Sequence, residues 1–264
     1  MEVFLYKFIA MCNFMGVRVS KVNFIRLKQI EKELGTLAAM KELELIKDGF
    51  RYSNSLIIRK QQGAADIEVV SAHWEFIPVW IKNGDEVKNA RKQGIPWLNA
   101  RSETVLESKM FGNAARKRRC LVLATHFFEW RHYKPEGEKK AMAYPYTIGV
   151  NYSEYFYLAG IWQPWTDRET GETIDTFAIV TTQANELMSQ VHNTKNRMPT
   201  ILPEDLAYEW IMEDLSEDRI KEIASYQLPS DEMYAYTIPK DFKALEEPCT
   251  PFEYSELPDL DIAL

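Results

Sequence analysis

CLVLATHFFEWRHY, residues 120–133, decides the fold. Cys120–Ala124 is an unbroken apolar run, and Phe127–Tyr133 is strongly aromatic. Runs this short and this rich in aromatic and β-branched residues read as strands. Outward from them, YPYTIGV (144–150), YFYLAGIW (155–162) and TIDTFAIVTT (173–182) have the same character, with Thr166–Gly171 as a polar hairpin loop. Upstream, Leu56–Arg59 and Ile67–Ser71 read as shorter strands. Residues 21–34 place Phe24, Leu27, Ile30 and Leu34 on one helical face, with Gly35 as the stop. Trp74–Trp80 is aromatic and broken by Pro78, Asn83-Gly84-Asp85 is a turn signal, and Ser102–Phe111 suits a helix. Downstream, a short helix is predicted near Ala184–Gln190, followed by the apolar Met198–Leu202. Pro203-Glu204-Asp205 opens a helix, because proline needs no N–H in the first turn and acids favour its positive end. A second helix runs from about Ser216 to Tyr226, and the proline- and acid-rich tail after Pro239 reads as loosely ordered. Strands in the middle with helices at the ends argue for an α+β fold built on one largely antiparallel sheet or barrel.

The chain has 264 residues, 46% of them apolar and 27% charged, an ordinary balance for a globular protein. That length buries a substantial core without disulfide or metal staples. No apolar run approaches the roughly 20 residues that cross a bilayer, and Met1–Ala10 lacks the basic start and cleavage site of a secretory signal. Three widely spaced cysteines, Cys12, Cys120 and Cys249, argue against a disulfide framework and point to a reducing cytoplasm. The four histidines have no metal-ligand spacing, so no metal is expected.

The net charge of −7 is unevenly spread. Lys88–Arg119 holds nine basic residues against two acidic ones, whereas the chain from Pro203 onward holds 17 acidic and four basic. The acidity therefore sits in the last quarter, and the middle offers a basic stretch able to meet phosphates. Charge alone favours the plainer reading of a solvated helix face.

Four segments carry candidate chemistry: Met11-Cys12; Asn99-Ala100-Arg101-Ser102-Glu103-Thr104; Phe127-Phe128-Glu129-Trp130; and His192 followed by Arg197-Met198-Pro199, preceded by Thr181-Thr182-Gln183-Ala184-Asn185. On a strand, Phe128 and Trp130 share one face, while Phe127, Glu129 and Arg131 share the other. A carboxylate among large aromatics is partly desolvated, which raises its pKa and fits it for proton transfer. Each segment has a plainer alternative: an exposed Glu paired with Arg131, an inert apolar cysteine, a surface histidine, a turn asparagine.

In combination and in this order, Met-Cys, N-A-R-x-E-T, F-F-E-W and H…R-M-P resemble the SOS-response-associated peptidase (SRAP) family of abasic-site processing proteins, from Met11 to about Leu202. The resemblance implies a single SRAP domain over 11–240 with a barrel-like antiparallel sheet flanked by helices, followed by an acidic tail, 241–264. It implies covalent capture of abasic sites in single-stranded DNA, without a cofactor, by a cysteine freed at the N-terminus. The exposed 1,2-aminothiol forms a Schiff base with the aldehyde of the opened sugar and closes to a thiazolidine. On this resemblance Cys12 is the reacting residue, Asn99 orients it, Glu129 handles protons at the amine, and His192 is the general acid for ring opening and for release. Arg101 and Arg197 are the DNA-contacting arginines, where a fork of donors suits phosphate, and Trp74 matches a tryptophan of the DNA-binding surface. A slow lyase activity and peptidase-like self-processing also follow, in a monomeric cytoplasmic protein, nucleoid-associated in a bacterium.

Three departures from the family pattern stand out. Residues 1–10 precede Met11, so an extension absent or removed in the mature protein is expected. Asn13-Phe14 stand where the family commonly has Gly-Arg, with Arg18 as a candidate replacement. Four residues, Asn193 to Asn196, separate His192 from Arg197 where the family commonly has one, and Arg51–Asn54 only faintly echoes a Tyr-Asn-x-x-Pro segment. Two other functions fit the residues: a thiol peptidase with Cys12 as nucleophile and His192 as base, and a non-catalytic nucleic-acid-binding module using the 88–119 stretch.

Overall fold

The computed structural model describes residues 12–18, 24–34 and 43–261. The expected extension 1–10, Met11, the start of the expected helix at 21–23, its stop at Gly35 and the last three residues of the tail lie outside them. The chain enters with β1 (Phe14–Gly16), β2 (Phe24–Leu27), β3 (Ile30–Glu33) and β4 (Lys47–Asp48). It continues through β5 (Asn54–Lys60), β6 (Ile67–Trp74), α1 (Gly84–Lys92), β7 (Asn99–Arg101) and α2 (Gly112–Lys117). The central strands follow: β8 (Arg119–Ala124), β9 (His126–Tyr133), β10 (Met142–Val150), β11 (Phe156–Thr166) and β12 (Thr173–Gln183). Last come α3 (Glu186–Val191), β13 (Arg197–Pro199), β14 (Ile201–Leu202), α4 (Glu204–Met212), α5 (Glu217–Ala224) and β15 (Met233–Thr237).

Strands β12, β6, β5, β8 and β11 pair in that order, and β11 returns to β12, closing a five-stranded barrel. Closure leaves these strands no free edge. Pairing is antiparallel around the ring except for β12 with β6, and β7 also lies parallel to β12. A second sheet, in the order β15-β10-β9-β1-β4, is antiparallel throughout. The expected α+β fold with a barrel-like antiparallel sheet is thus the observed one.

β8 shows how the two layers meet. All six of its residues are buried. Leu121 and Leu123 face a core that includes Val87 of α1, Trp210 of α4 and Ile223 of α5. Cys120, Val122 and Ala124 face the opposite way, into a core shared with Phe127, Tyr144 and Ile148 of the second sheet. That alternation is the two-residue period of a strand covered on both sides, which reads in sequence as a continuous apolar run.

Several expectations are corrected. Residues 24–34 form a β-hairpin, not an amphipathic helix. Lys28 takes a left-handed conformation (φ 54°) at the turn, and Ile25 and Leu27 point inward while Phe24 is 47% exposed. Tyr155 Oη accepts the Arg26 N–H at 2.9 Å, Tyr157 Oη donates to the Arg26 carbonyl at 2.6 Å, and Glu204 accepts the Lys28 N–H. Tertiary partners thereby override a pattern that also satisfied the helical period. Asn83 does not make a plain turn; its side chain caps α1 by accepting the Glu86 N–H at 2.9 Å. Ser102–Phe111 is not one helix. It opens as a 3-10 turn over Ser102–Thr104, and the Ser108 hydroxyl accepts the N–H groups of Met110 and Phe111, competing with helical bonds before α2 begins.

The tail after Pro239 is ordered rather than loose. Phe242 is buried against Phe128, Thr237 and Phe252 exchange hydrogen bonds, Tyr254 Oη donates to the Ile238 carbonyl, and Tyr144 Oη donates to Glu256. Much of the 88–119 charge is internal too. Arg119 donates to the carbonyls of Ala115, Arg116, Trp210 and Glu213, Arg91 is paired with the buried Glu75, and Arg116 is paired with Glu217. Among the described residues, no helix is long and apolar enough to cross a membrane.

Trp210 ties α4 to the barrel: it is fully buried, and its Nε1 donates to the carbonyls of Cys120 and Gly160, both at 3.1 Å. Trp210→Ala is expected to cost about 3–5 kcal/mol of stability, read as a lower denaturant midpoint in equilibrium unfolding.

Candidate active site

The site lies where the second sheet meets the strands appended to the barrel. β9 turns Glu129 inward, and the residue is 4% exposed. Glu129 Oε1 accepts the backbone N–H of Cys12 at 2.7 Å, across 117 residues of sequence. Cys12 is fully buried and sits in the left-handed region, with φ 52°. A cysteine pays about 1–3 kcal/mol for that conformation, so its surroundings hold it there. β1 follows directly, pairing Met15 with Phe127, and so delivers Cys12 to the neighbourhood of Glu129.

His192 caps the C-terminal end of α3, and its Nε2 lies 3.9 Å from Glu129 Oε2. Asn185, singled out in the sequence, is the other cap of this helix. It accepts the Met188 N–H at 2.8 Å and donates to the Leu228 carbonyl at 2.7 Å. Asn99 reaches the site from β7, where its Nδ2 donates to Asn13 Oδ1 at 3.3 Å. Arg101 is exposed at the end of the same strand. Arg197, on β13, is bidentate to Glu103 (2.8 and 3.0 Å) and donates to Thr181 O at 2.7 Å. This pair ties the Asn99–Thr104 segment to the Arg-Met-Pro segment, and it occupies Arg197 with a protein carboxylate.

Burial sets the protonation states. It pushes the Glu129 carboxyl up to about 7, although the Cys12 N–H and the charge of Lys195 pull it back. It pushes His192 down to about 4, against a hydrogen bond with the Arg197 backbone. The Cys12 thiol is driven well above its ordinary value by burial and then by the negative charge of Glu129. These directions oppose a thiolate–imidazolium pair, which a thiol peptidase would need. They also oppose a Glu129–His192 ion pair: near neutrality the imidazole is uncharged, while the carboxyl passes between its protonated and ionised forms. The arrangement is suited to moving a proton at the nitrogen of residue 12.

Five buried polar atoms have no hydrogen-bond partner among the described residues: Asn99 Oδ1, Ser102 Oγ, His132 Nδ1, His192 Nδ1 and Arg197 Nε. All belong to segments that build this site. Buried polar groups are normally satisfied, which sets these segments apart from the rest of the described interior.

One expectation fails. Trp74 is fully buried, lies parallel to Phe177 with 6.2 Å between ring centroids, and donates Nε1 to the Leu98 carbonyl, so it has no face for a base. Arg18, a candidate replacement for an arginine after the cysteine, is paired with Glu247. Sequence reading missed Trp80, which is 52% exposed on the turn after Pro78. Its segment is tied at Phe76 to the Trp97 carbonyl, two residues before Asn99. The break that Pro78 makes in an aromatic run was the available signal.

Comparison with known proteins bears on the same segments. The family model described as SOS response associated peptidase (SRAP) matches residues 22–244, and Cys12 lies just before that stretch. Abasic site processing protein YoqW of Bacillus subtilis is 30% identical over 165 residues, covering 62% of this chain and 66% of that protein. Abasic site processing protein HMCES of Gallus gallus is 31% identical over 174 residues, covering 59% of this chain and 50% of that protein. The matched part therefore spans just under two thirds of the first relative and half of the second. A crystal structure of a protein from Bacteroides thetaiotaomicron superposes with a TM-score of 0.66 at 33% identity, covering 78% of this chain and 82% of that one.

The raised Glu129 carboxyl makes stability depend on pH. The folded state holds this proton above the ordinary value of 4.5, where the unfolded chain has lost it. The contribution is fully present below 4.5 and is lost as pH rises through about 7. Denaturant titrations over this window should show stability falling for the parent chain, with a visibly flatter profile for Glu129→Gln.

Proposed function

Because the chain belongs to the SRAP family, we propose that it recognises abasic sites in single-stranded DNA and captures them covalently through Cys12. The observation that carries this reading is the 2.7 Å contact between the nitrogen of residue 12 and Glu129. Removal of Met11 and the residues before it converts that amide nitrogen into a free α-amine beside a thiol. A carboxyl that titrates near 7 is fitted to both stages. Protonated, it gives its proton to the leaving amine of the Met11–Cys12 bond while water adds to the Met11 carbonyl, which departs as a carboxylate. Ionised, it takes a proton from the α-ammonium and frees the nucleophile.

The amine adds to the C1′ aldehyde of the ring-opened sugar, and loss of water leaves a Schiff base. The thiol then adds across the C=N bond, forming the C–S bond, and its proton passes to the nitrogen, which closes the thiazolidine. Neutral His192, beside the carboxyl, relays the proton for sugar opening and, in reverse, for slow release of the adduct. Asn99, through Asn13, fixes the strand that carries the cysteine. Arg101 meets a phosphate, and Trp80 replaces Trp74 as the surface on which a base stacks. Arg197 acts through Glu103 to hold the site together. The protein would work as a cytoplasmic monomer on damaged single strands, shielding the lesion from strand cleavage, with lyase action as a minor outcome.

Protein expressed from Met11 and shown by mass to have lost it, so that Cys12 is N-terminal, should yield a denaturation-resistant band when incubated with single-stranded DNA carrying one abasic site. Cys12→Ala should abolish it, and Glu129→Gln should slow it about 10²-fold or more. Unprocessed 1–264 should give none. A band of undiminished intensity with Cys12→Ala would rule this function out.

A further inference from the structure

His192 and Glu129 face each other without touching. The 3.9 Å between Nε2 and Oε2 is too long for a hydrogen bond, and the ring is tied instead to the Arg197 backbone. Their spacing is therefore set by the elements that carry them, α3 and β9. α3 has six residues, too few to hold its own shape in water. Its first turn is fixed by Asn185 and by the Ser230 hydroxyl, which accepts the Leu187 N–H at 3.1 Å. Beyond its end, Asn193 reaches β9. Its Oδ1 accepts the His132 N–H at 3.0 Å, and its Nδ2 donates to the His132 carbonyl at 2.8 Å.

The last turn of α3 is held from the C-terminal segment. Gln190, two residues before His192, makes a reciprocal pair with the backbone of Asp261. Its Nε2 donates to the Asp261 carbonyl at 2.6 Å, and its Oε1 accepts the Asp261 N–H at 2.8 Å. Three residues earlier in the same segment, the Pro258 carbonyl accepts from Arg131 Nη1 at 2.6 Å. Arg131 stands two residues after Glu129 on β9 and so shares its face. Tyr144 of β10, directly opposite Arg131, donates to Glu256 and packs edge-on against Tyr254, with 4.9 Å between ring centroids. Between these ties, Leu257 and Leu260 pack against the core that contains Cys12 and Val191. Residues 254–261 thus run as a strap from β10 across β9 to α3. They lie beyond residues 22–244, the stretch that matches the family model.

We propose that this strap is a positioning element of the active site: by joining the Glu129 strand to the last turn of α3, it fixes the gap between Glu129 and His192 during capture of the abasic sugar. Gln190 is the positioning residue at its far end, acting through His192 rather than on the reacting atoms. Solvent-facing hydrogen bonds such as its pair with Asp261 add little to overall stability, so what they supply is geometry. A shift of about 1 Å in such a gap slows a reaction on the order of 10²-fold. The strap rests on the abasic-site reading above and adds a requirement to it: the proton relay needs residues 254–261.

The test uses protein shown by mass to begin at Cys12, in excess over single-stranded DNA with one abasic site, with the single-turnover crosslinking rate followed to saturation. Gln190→Ala should lower the maximal rate by roughly 10–100-fold while the half-saturating protein concentration stays within about twofold of the parent's. Binding of a tetrahydrofuran abasic analogue, which cannot react, should be equally unaffected. Asp261→Pro removes only the N–H that Gln190 accepts, at an exposed residue, and should slow the maximal rate in the same way; it carries the test alone if Gln190→Ala does not fold. The double variant should be no slower than the slower single one, because both break one tie. A maximal rate equal to the parent's in a folded variant, or losses that multiply in the double variant, would overturn the strap while leaving capture intact. A parent protein with Cys12 at its N-terminus that forms no crosslink would overturn the abasic-site reading itself.

Discussion

A carboxylate buried on a strand, accepting the backbone N–H of a residue 117 positions away, is the contact on which this molecule turns. Glu129 can stay at that depth only because its environment lets it keep a proton to about pH 7 and because Cys12 supplies a donor. Desolvating a carboxyl is costly, and stability is reduced whenever the group ionises. The fold carries that cost at a position that directly follows two fully buried phenylalanines, Phe127 and Phe128. A group kept under such terms is suited to proton transfer, and the nitrogen it touches is the atom whose protonation it would govern.

The surrounding architecture converges on this contact from four parts of the chain. β1 brings Cys12 and Asn13, β7 brings Asn99 and Arg101, α3 ends in His192, and β13 brings Arg197. The Arg197–Glu103 fork and the clasp of Asn193 on His132 hold these pieces in register. Both are polar ties at the margin of an apolar junction, where a few directional bonds fix geometry that packing alone leaves free.

How much of this could be read from sequence follows from how local each signal is. The central strands were legible because burial on one or both faces stamps a period or a continuous apolar run on the residues themselves. β8 and β9 are the clearest cases. The hairpin at 24–34 was not, because Phe24, Leu27, Ile30 and Leu34 satisfy the helical period, and only Tyr155, just before β11, and Tyr157 within it settle the matter. The tail misled for a related reason: proline and acid content signals looseness, yet Phe242 and Tyr254 anchor it through contacts no local pattern records. Glu129 and His192 carried weight only as members of an ordered set of motifs. Trp74 and Trp80 look alike in sequence, and burial alone separates them.

The central claim is that the nitrogen beside Glu129 becomes the reacting amine of an aminothiol. Tandem mass spectrometry of the nuclease-trimmed adduct with an abasic strand addresses it directly. The account predicts one sugar remnant on an N-terminal Cys12, with the α-amine and the thiol both blocked. A remnant on any other residue, or on the Cys12 sulfur of a chain that still carries Met11, would contradict it.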